Sequence, residues 1–454
     1  MNINNISIEN FKCFKEQTDV EFGKITLLTG ANSSGKSSII YSILGSLQSG
    51  EFPFKFSTNG KYVDMGDFQE IVHHHNRKEK INLGFTFKND VIHKIKTTWC
   101  EDKENNLPKL ERLNATSDYF TLDINLKKDK YSVDFTYDPN KDPQNNTLTK
   151  EIYKKFFTSF SDVLVTGENK NTNTKSNKTN INKFIDDLTA PQNIKGLVLD
   201  DVPLSDSNLE EKGMFKLKQI FDVISKIFSD YDNKINFISS FRLRPERTYL
   251  EQTKSKLKVD SFGDGYLDQI IIWESKDKKK FNQLIETLKK LNLLEGIKSK
   301  RLEGGRYEIA VKIKKDGIDT SLSDVGFGIS QFLPIIVADL QLPKSSTLYI
   351  AQPEIHLHPS VQSSFGDYLI NQVIEESKNY VVETHSEYLL NKIRLAIVKN
   401  EIKEEDVKVF FVDSVDSSLH KILFNKKGQI LNAPKNFFKT YMIDVMDIAI
   451  NAVE

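Results

Sequence analysis

The sequence predicts an α/β protein with a β-rich lobe and a large, mainly helical insertion. Three observations carry that expectation. An apolar run from Lys24 to Thr29 ends in a glycine-rich loop and passes into a helical pattern, apolar residues alternate between about 80 and 137, and apolar strands alternating with helices return after Leu322. At 454 residues the chain exceeds the roughly 250–300 at which a single core stops growing, so two or three domains, or one core with insertions, are expected.

Taken in order, Ile3 to Ile8 and Lys24 to Thr29 read as strands around a charged turn. Ile39, Ile40, Ile43, Leu44 and Leu47 then recur at helical spacing, giving strand, glycine-rich loop, helix. Residues 1–80 therefore form a first lobe. The alternations Ile81-Leu83-Phe85-Phe87 and Tyr131-Val133-Phe135-Tyr137 predict an antiparallel lobe over 81–140. From 141 to 300 helical spacing dominates, at Phe215 to Phe228 and Phe281 to Leu294, interrupted near 167–182 by GENKNTNTKSNKTNIN, which holds too few apolar residues to offset its ordering. Neither helix carries a long heptad register. Residues 301–454 return to α/β, with strands at Leu348 to Ile350 and Tyr380 to Val382, so the first lobe and this one are parts of one domain split around the insertion.

Composition narrows the function classes. Lys+Arg 63 balance Asp+Glu 63, so no global field attracts nucleic acid, and any contact with DNA or RNA must come from a local patch. Two cysteines, Cys13 and Cys100, support neither a disulfide framework nor a zinc ribbon. The N-terminus lacks the apolar core of a signal peptide, and no stretch approaches the ~20 apolar residues of a membrane span, so a cytoplasmic protein without membrane contact is expected.

The loop Gly30-Ala31-Asn32-Ser33-Ser34-Gly35-Lys36-Ser37 satisfies GxxxxGK(S/T) between a strand and a helix, the context this motif requires. Its glycines let backbone N–H groups close on phosphates, and the helix start, reaching Ser38, adds its positive end. Lys36 reaches the β- and γ-phosphates and Ser37 can ligate Mg²⁺, so ATP with Mg²⁺ is the expected ligand.

GANSSGKS, with the opening IENFKCFKE, resembles the SMC/RecF/OLD branch of ABC-type ATPases. Further segments extend the likeness. Asp324-Val325-Gly326-Phe327-Gly328-Ile329-Ser330-Gln331 is similar to that branch's signature element, in which the serine and the helix start contact the γ-phosphate bound by another protomer. Gly328, Ser330 and Gln331 are thus expected at the nucleotide, with Ser330 as an N-cap. Leu348 to Pro359, LYIAQPEIHLHP, resembles the Walker B strand and the turn after it, and departs from the pattern at Ala351, where the family has an acid. Gln352 stands where ABC ATPases have a general-base Glu, although Gln is common there in this branch. Neither side chain accepts a proton from water, so turnover by the usual route is expected to be slow or absent. Two explanations stay open: a Glu-to-Ala change that traps ATP, or a protein that uses ATP as a structural and regulatory ligand. Glu354 remains the nearby carboxylate, for Mg²⁺, water or a helix cap.

Val381 to Glu387, VVETHSE, resembles the switch element in which a histidine, here His385, senses the γ-phosphate. Met65 to His73 sits where the family has a Q-loop-like segment, making Gln69 a candidate metal contact, and Phe237 to Arg247 resembles an arginine-rich strand end. Arg242, Arg244 and Arg247 suit a nucleotide, a partner or a nucleic-acid phosphate. The tail from Val407 is similar to the extension of stand-alone ATPases of bacterial defence operons. Asp413 and Asp416 in VDSVD read as a solvated turn, so no built-in Toprim nuclease is expected. His73-His74-His75 reads as a polar turn, because consecutive side chains diverge.

The likeness implies a homodimer or higher oligomer, since composite sites set the loop of one subunit against the signature of another. It further implies control of an effector nuclease in anti-phage defence. The alternative is a RecF-like repair clamp that binds DNA directly.

Overall fold

A computed structural model of the chain describes residues 3–88, 92–118, 120–127, 130–138, 192–199, 224–250, 258–434 and 437. These gather into two compact units, one from Met1–Glu21 with Tyr41–Asn233 and one from Phe22–Ile40 with Lys234–Glu454. The low-complexity stretch at 167–182 and most of the helix expected from Phe215 lie outside the described residues.

The first unit is one eight-stranded sheet in the order β2-β1-β4-β5-β6-β7-β8-β9. Its strands are β1 (Ile3–Glu9), β2 (Thr18–Glu21), β4 (Ile81–Phe87), β5 (Lys94–Glu101), β6 (Pro108–Thr116), β7 (Phe120–Lys127), β8 (Lys130–Tyr137) and β9 (Gln192–Leu199). All neighbours run antiparallel. Period-two alternation sends Leu83, Phe85, Ile95 and Trp99 into one buried face. There Phe52 lies 5.4 Å from Phe85, 5.9 Å from Trp99 and 4.5 Å from Phe228 of the helix α3 (224–232). Short α2 (Phe68–Ile71) is capped by Asp67, whose side chain accepts from the Glu70 N–H.

Two of these elements depart from the sequence reading. β1 belongs to the β-rich sheet, not to a separate first lobe, because its residues Ile3 to Glu9 pair with Asn82 to Phe87. The stretch expected to be mainly helical, 141–300, contributes β9 to the same sheet and three further strands to the second unit.

The second unit centres on a six-stranded sheet in the order β10-β15-β16-β3-β17-β18. It comprises β10 (Ile235–Ile238), β15 (Thr347–Ala351), β16 (Asn379–Glu383), β3 (Ile25–Gly30), β17 (Val407–Val412) and β18 (Leu419–Ile422). The first five are parallel and only β18 is antiparallel. Parallel strands are covered on both faces, which is why these are predominantly apolar, with every residue of β10 and β15 buried, the polar Asn236 and Thr347 included.

The covering helices are α6 (Phe327–Gln341), α7 (Pro359–Glu376) and α8 (Glu387–Val398). A smaller antiparallel sheet holds β11 (Tyr249–Leu250), β12 (Gly296–Leu302), β13 (Arg306–Lys312) and β14 (Asp319–Ser321), flanked by α4 (Tyr266–Lys276) and α5 (Lys278–Lys290). Buried Asp339 of α6 fastens the main layers. Its carboxylate accepts from Lys378 Nζ at 3.1 Å, from the Tyr380 hydroxyl at 3.0 Å and from the Tyr368 hydroxyl, joining α6, α7 and β16.

Candidate nucleotide-binding site

The glycine-rich loop leaves the carboxyl end of β3 between two parallel neighbours, β16 and β17, and enters α1 (Lys36–Gln48). Chain order reverses here, since β15 and β16 lie on one side and β17 on the other, and such crevices are where open parallel sheets take ligands. Gly30 (φ 136°) and Gly35 (φ 112°) hold left-handed backbone, as does Ser33 (φ 59°). A Cβ on Gly30 would lie 2.3 Å from the Val412 carbonyl oxygen, so only glycine fits beside β17. Asn32 and Ser33 are exposed at the loop tip, whereas Ser34 and Ser38 are buried at its base.

Lys36 is 3% exposed, and its ammonium donates to the carbonyls of Gly30 (3.1 Å) and Ala31 (2.6 Å). Burial lowers its pKa, and the nearby carboxylates of Glu383 and Glu354 partly oppose that. Ser37 Oγ donates to Glu383 Oε2 at 2.7 Å.

Three strand ends lie side by side at this edge. In register, Ala351 of β15 faces Glu383 of β16, and Glu383 faces Leu28 of β3. After β15 the chain turns through left-handed Gln352 (φ 47°), whose N–H donates to the Glu383 carbonyl at 2.7 Å. Glu354 follows, with both carboxylate oxygens occupied: Oε1 accepts from the His385 N–H at 2.6 Å and Oε2 from Thr384 Oγ1 at 2.9 Å. Burial raises its pKa against those two hydrogen bonds and the charge of Arg242. Glu354 thus ties the turn after β15 to the segment after β16. His385 itself is exposed at the edge, and its pKa is lowered, first by partial desolvation and then by the Lys36 ammonium.

The run HLHP has a local structural reason as well. His358 caps α7 through its ring nitrogen, which accepts from the Ser360 N–H at 3.3 Å, and Pro359 opens the helix where its missing N–H costs nothing.

The signature segment starts α6, with one correction to the sequence reading. Gly326, in extended conformation, is the N-cap, and Ser330 lies in the first turn, 1% exposed, its hydroxyl donating to the Phe327 carbonyl at 3.1 Å. The helix begins earlier than expected because Gly328 nests against the turn after β15, where a Cβ would stand 2.5 Å from the His356 carbonyl oxygen. Gln331 donates from Nε2 to the Leu243 carbonyl at 3.2 Å.

Arg242 joins these parts. It is 8% exposed and donates to four carbonyls: Ser239 (2.9 Å), Gln331 (2.8 Å), Ala351 (3.1 Å) and Gln352 (2.8 Å). Burial brings its pKa down to about 10, so it stays charged at neutral pH. The other two arginines of the run are also engaged, Arg247 with Asp324 at 2.8 Å and Arg244 over the Phe327 ring at 4.9 Å.

Gln69 lies on α2 in the first unit, where its Oε1 accepts from Arg77 Nε at 3.0 Å and Nη2 at 2.5 Å. The histidine run forms a kinked turn with the rings of His73 and His74 stacked at 4.0 Å, and no group of three His, Cys, Asp or Glu suited to a metal occurs among the described residues. Asp413 and Asp416 accept from the N–H groups of Val415 and Ser418 in a surface turn. Sequence reasoning passed over Glu383 as a site residue. Its signal was available, an acid closing the apolar strand Tyr380-Val381-Val382 two residues before His385. Arg242 was noticed, but for a role toward a nucleotide, a partner or a nucleic-acid phosphate rather than inside the fold.

Residues 1–390 match the family described as AAA ATPase domain. No curated protein matches the chain. Among solved structures, the SMC head domain from Thermotoga maritima is similar at 10% identity, covering 94% of this chain and 100% of that one, with a TM-score of 0.38. An SMC head with an extended coiled coil bound to the C-terminal domain of ScpA, from Pyrococcus furiosus, is similar at 11% identity over 100% of this chain and 99% of that one, with a TM-score of 0.39. An SMC head bound to the C-terminal winged-helix domain of ScpA matches at 12% identity over 96% and 100%, with a TM-score of 0.42. Since the family match runs from β1 into α8 and takes in the glycine-rich loop, the turn after β15 and the segment around His385 together, the chain belongs to the AAA ATPase domain family.

Proposed function

We propose that this chain is the ATP-binding subunit of an ABC-type machine of the RecF/OLD branch, one that associates on Mg-ATP, turns it over slowly or not at all, and controls an effector nuclease in anti-phage defence in the cytoplasm. The observation that carries the nucleotide part is the base of the phosphate loop. A buried ammonium rests on two loop carbonyls, and a helix-start serine sits beside a buried carboxylate. Phosphoryl oxygens are stronger acceptors for Lys36 than carbonyls, so ATP fits where the chain now satisfies the lysine internally. Bound there with Mg²⁺, ATP supplies the negative charge that Lys36 and the start of α1 attract, and Ser37 holds the metal.

Low turnover follows from the groups around the attacking position. Gln352 is neutral, residue 351 is alanine, and Glu354 has both oxygens engaged by Thr384 and His385. None is poised to take a proton from water. His385 beside Lys36 suits a sensor of the γ-phosphate, and Gly328, Ser330 and Gln331 suit contact with the nucleotide of a second copy. Control of a nuclease rests on the sequence resemblance. The engagement of Arg242 inside the fold, together with the balanced net charge, favours it over direct DNA clamping.

The test is mass in solution with and without Mg-ATP, alongside phosphate release, for this chain, Lys36→Ala and Ala351→Glu. Association on Mg-ATP with little phosphate release, lost in Lys36→Ala, is the expected result. Rapid turnover by the unchanged chain, or association indifferent to Lys36→Ala, refutes the reading.

A further inference from the structure

We propose that Glu383 provides the carboxylate of this chain's Mg²⁺ site, in place of the acid that its Walker B strand lacks at Ala351. The inference rests on the nucleotide reading above and adds a metal-binding residue to it.

Ala351 and Glu383 are opposite each other at the carboxyl ends of β15 and β16. Between them, β16 is the direct neighbour of β3, which delivers the phosphate loop, while β15 is one strand further away. Glu383 pairs with Leu28, two residues before the loop opens at Gly30. A carboxylate at the end of β16 therefore starts closer to Ser37 than one at the end of β15. The side chain realises that advantage, because Ser37 Oγ donates to Glu383 Oε2 at 2.7 Å. In P-loop proteins the serine or threonine of the loop and a Walker B acid hold Mg²⁺ together, and here the acid beside that hydroxyl comes from the next strand.

Burial supports the assignment. Glu383 is 6% exposed, and a carboxylate so placed requires compensation by charge or hydrogen bonds. Lys36 supplies part of it, since Glu383 is the foremost group opposing the loss of the lysine's proton. Mg²⁺ takes hard oxygen ligands, typically one or two carboxylates with phosphate oxygens and waters. Ser37 and Glu383 are an oxygen pair of that kind at the mouth of the phosphate loop. Ala351 is 7% exposed and presents only a methyl group, so it neither competes for the metal nor repels Glu383.

The experiment measures the affinity of a fluorescent ATP analogue in EDTA and in Mg²⁺ for the unchanged chain, Glu383→Gln, and Glu383→Gln combined with Ala351→Glu. Glutamine keeps an acceptor for Ser37 and removes the charge. Glu383→Gln is expected to bind the analogue at least as tightly as the unchanged chain in EDTA, where the lost charge no longer repels phosphate, while the tightening by Mg²⁺ shrinks by at least about 10-fold, since even an outer-shell partner of a metal contributes about 10–100-fold. The double variant is expected to regain much of that tightening. In the unchanged chain, Fe²⁺ substituted for Mg²⁺ in the presence of nucleotide, ascorbate and peroxide is expected to cut the backbone near 36–38 and 382–384. This arm holds even if Glu383→Gln does not fold.

Full Mg²⁺ tightening in a folded Glu383→Gln, or cleavage near 36–38 with none at 382–384, overturns the assignment while leaving the nucleotide reading intact. Failure of the unchanged chain to bind the analogue in either buffer overturns the nucleotide reading, and the metal site with it.

Discussion

Replacing Arg242 with methionine removes a guanidinium that donates to carbonyls at the ends of β10 and β15, in the turn after β15 and in the first turn of α6. Methionine keeps much of the volume and none of the donors. Each charge-assisted bond contributes about 1.5 kcal/mol net, and four of them give about 6 kcal/mol. Because the four bonds share one guanidinium they do not add fully, and about two thirds of that sum is retained. The expected loss is about 4 kcal/mol. For a unit of this size a kilocalorie moves Tm by about 2–4 °C, so the transition of the second unit should fall by about 8–16 °C. Differential scanning calorimetry reads it directly. Arg247→Met is the control, because its partner Asp324 and its own side chain are largely exposed and such pairs contribute about 0–1 kcal/mol. If Arg242→Met melts within about 2 °C of the unchanged chain, the four carbonyls do not depend on this arginine and its linking role is refuted.

Two glycines of the signature should respond unequally to alanine. Gly328→Ala drives a Cβ to 2.5 Å from a backbone oxygen and should destabilise the second unit by about 1–3 kcal/mol, whereas Gly326→Ala, with nothing within 4 Å of its Cβ, should lose only the capping preference of glycine over alanine, about 0.5–1 kcal/mol, both read by thermal melting. His385 should titrate below its ordinary 6.5, by NMR, and its midpoint should rise in Lys36→Ala. Since its folded-state value is depressed, its contribution to stability is complete above pH 6.5 and is lost as pH falls toward the folded-state value. A midpoint at or above 6.5, unmoved by Lys36→Ala, contradicts the proximity of the two charges.

How much of the molecule was legible in the sequence varied with the distance over which each feature is determined. The strand, glycine-rich loop and helix start were readable, because that conformation depends on glycines and a helix start within a few consecutive residues, and Gly30 and Gly35 hold left-handed backbone just before the helix that opens at Lys36. The apolar strands of the parallel sheet and the alternating strands at 81–137 were readable for a similar reason, since period and burial are printed along each strand. The N-cap of α6 was misplaced at Ser330. A serine is a fair cap by composition, but the close approach of Gly328 to His356 moves the helix start back to Gly326, and that contact comes from another segment.

What the sequence by itself determined, then, is the class of fold, the glycine-rich loop between a strand and a helix, and the absence of an acid at Ala351. Only the tertiary structure decided which side chains complete the site. Glu383 meets Ser37 across 346 positions of chain, and Arg242 reaches Gln352 across 110. Both meetings depend on which strands are neighbours and in what register. A slip of one residue in β16 would turn Glu383 to the opposite face of the sheet, and nothing within Tyr380 to Glu383 specifies that register alone. It is set by the packing of β16 between β15 and β3, so the carboxylate beside the loop is a property of the assembled sheet and not of any one segment.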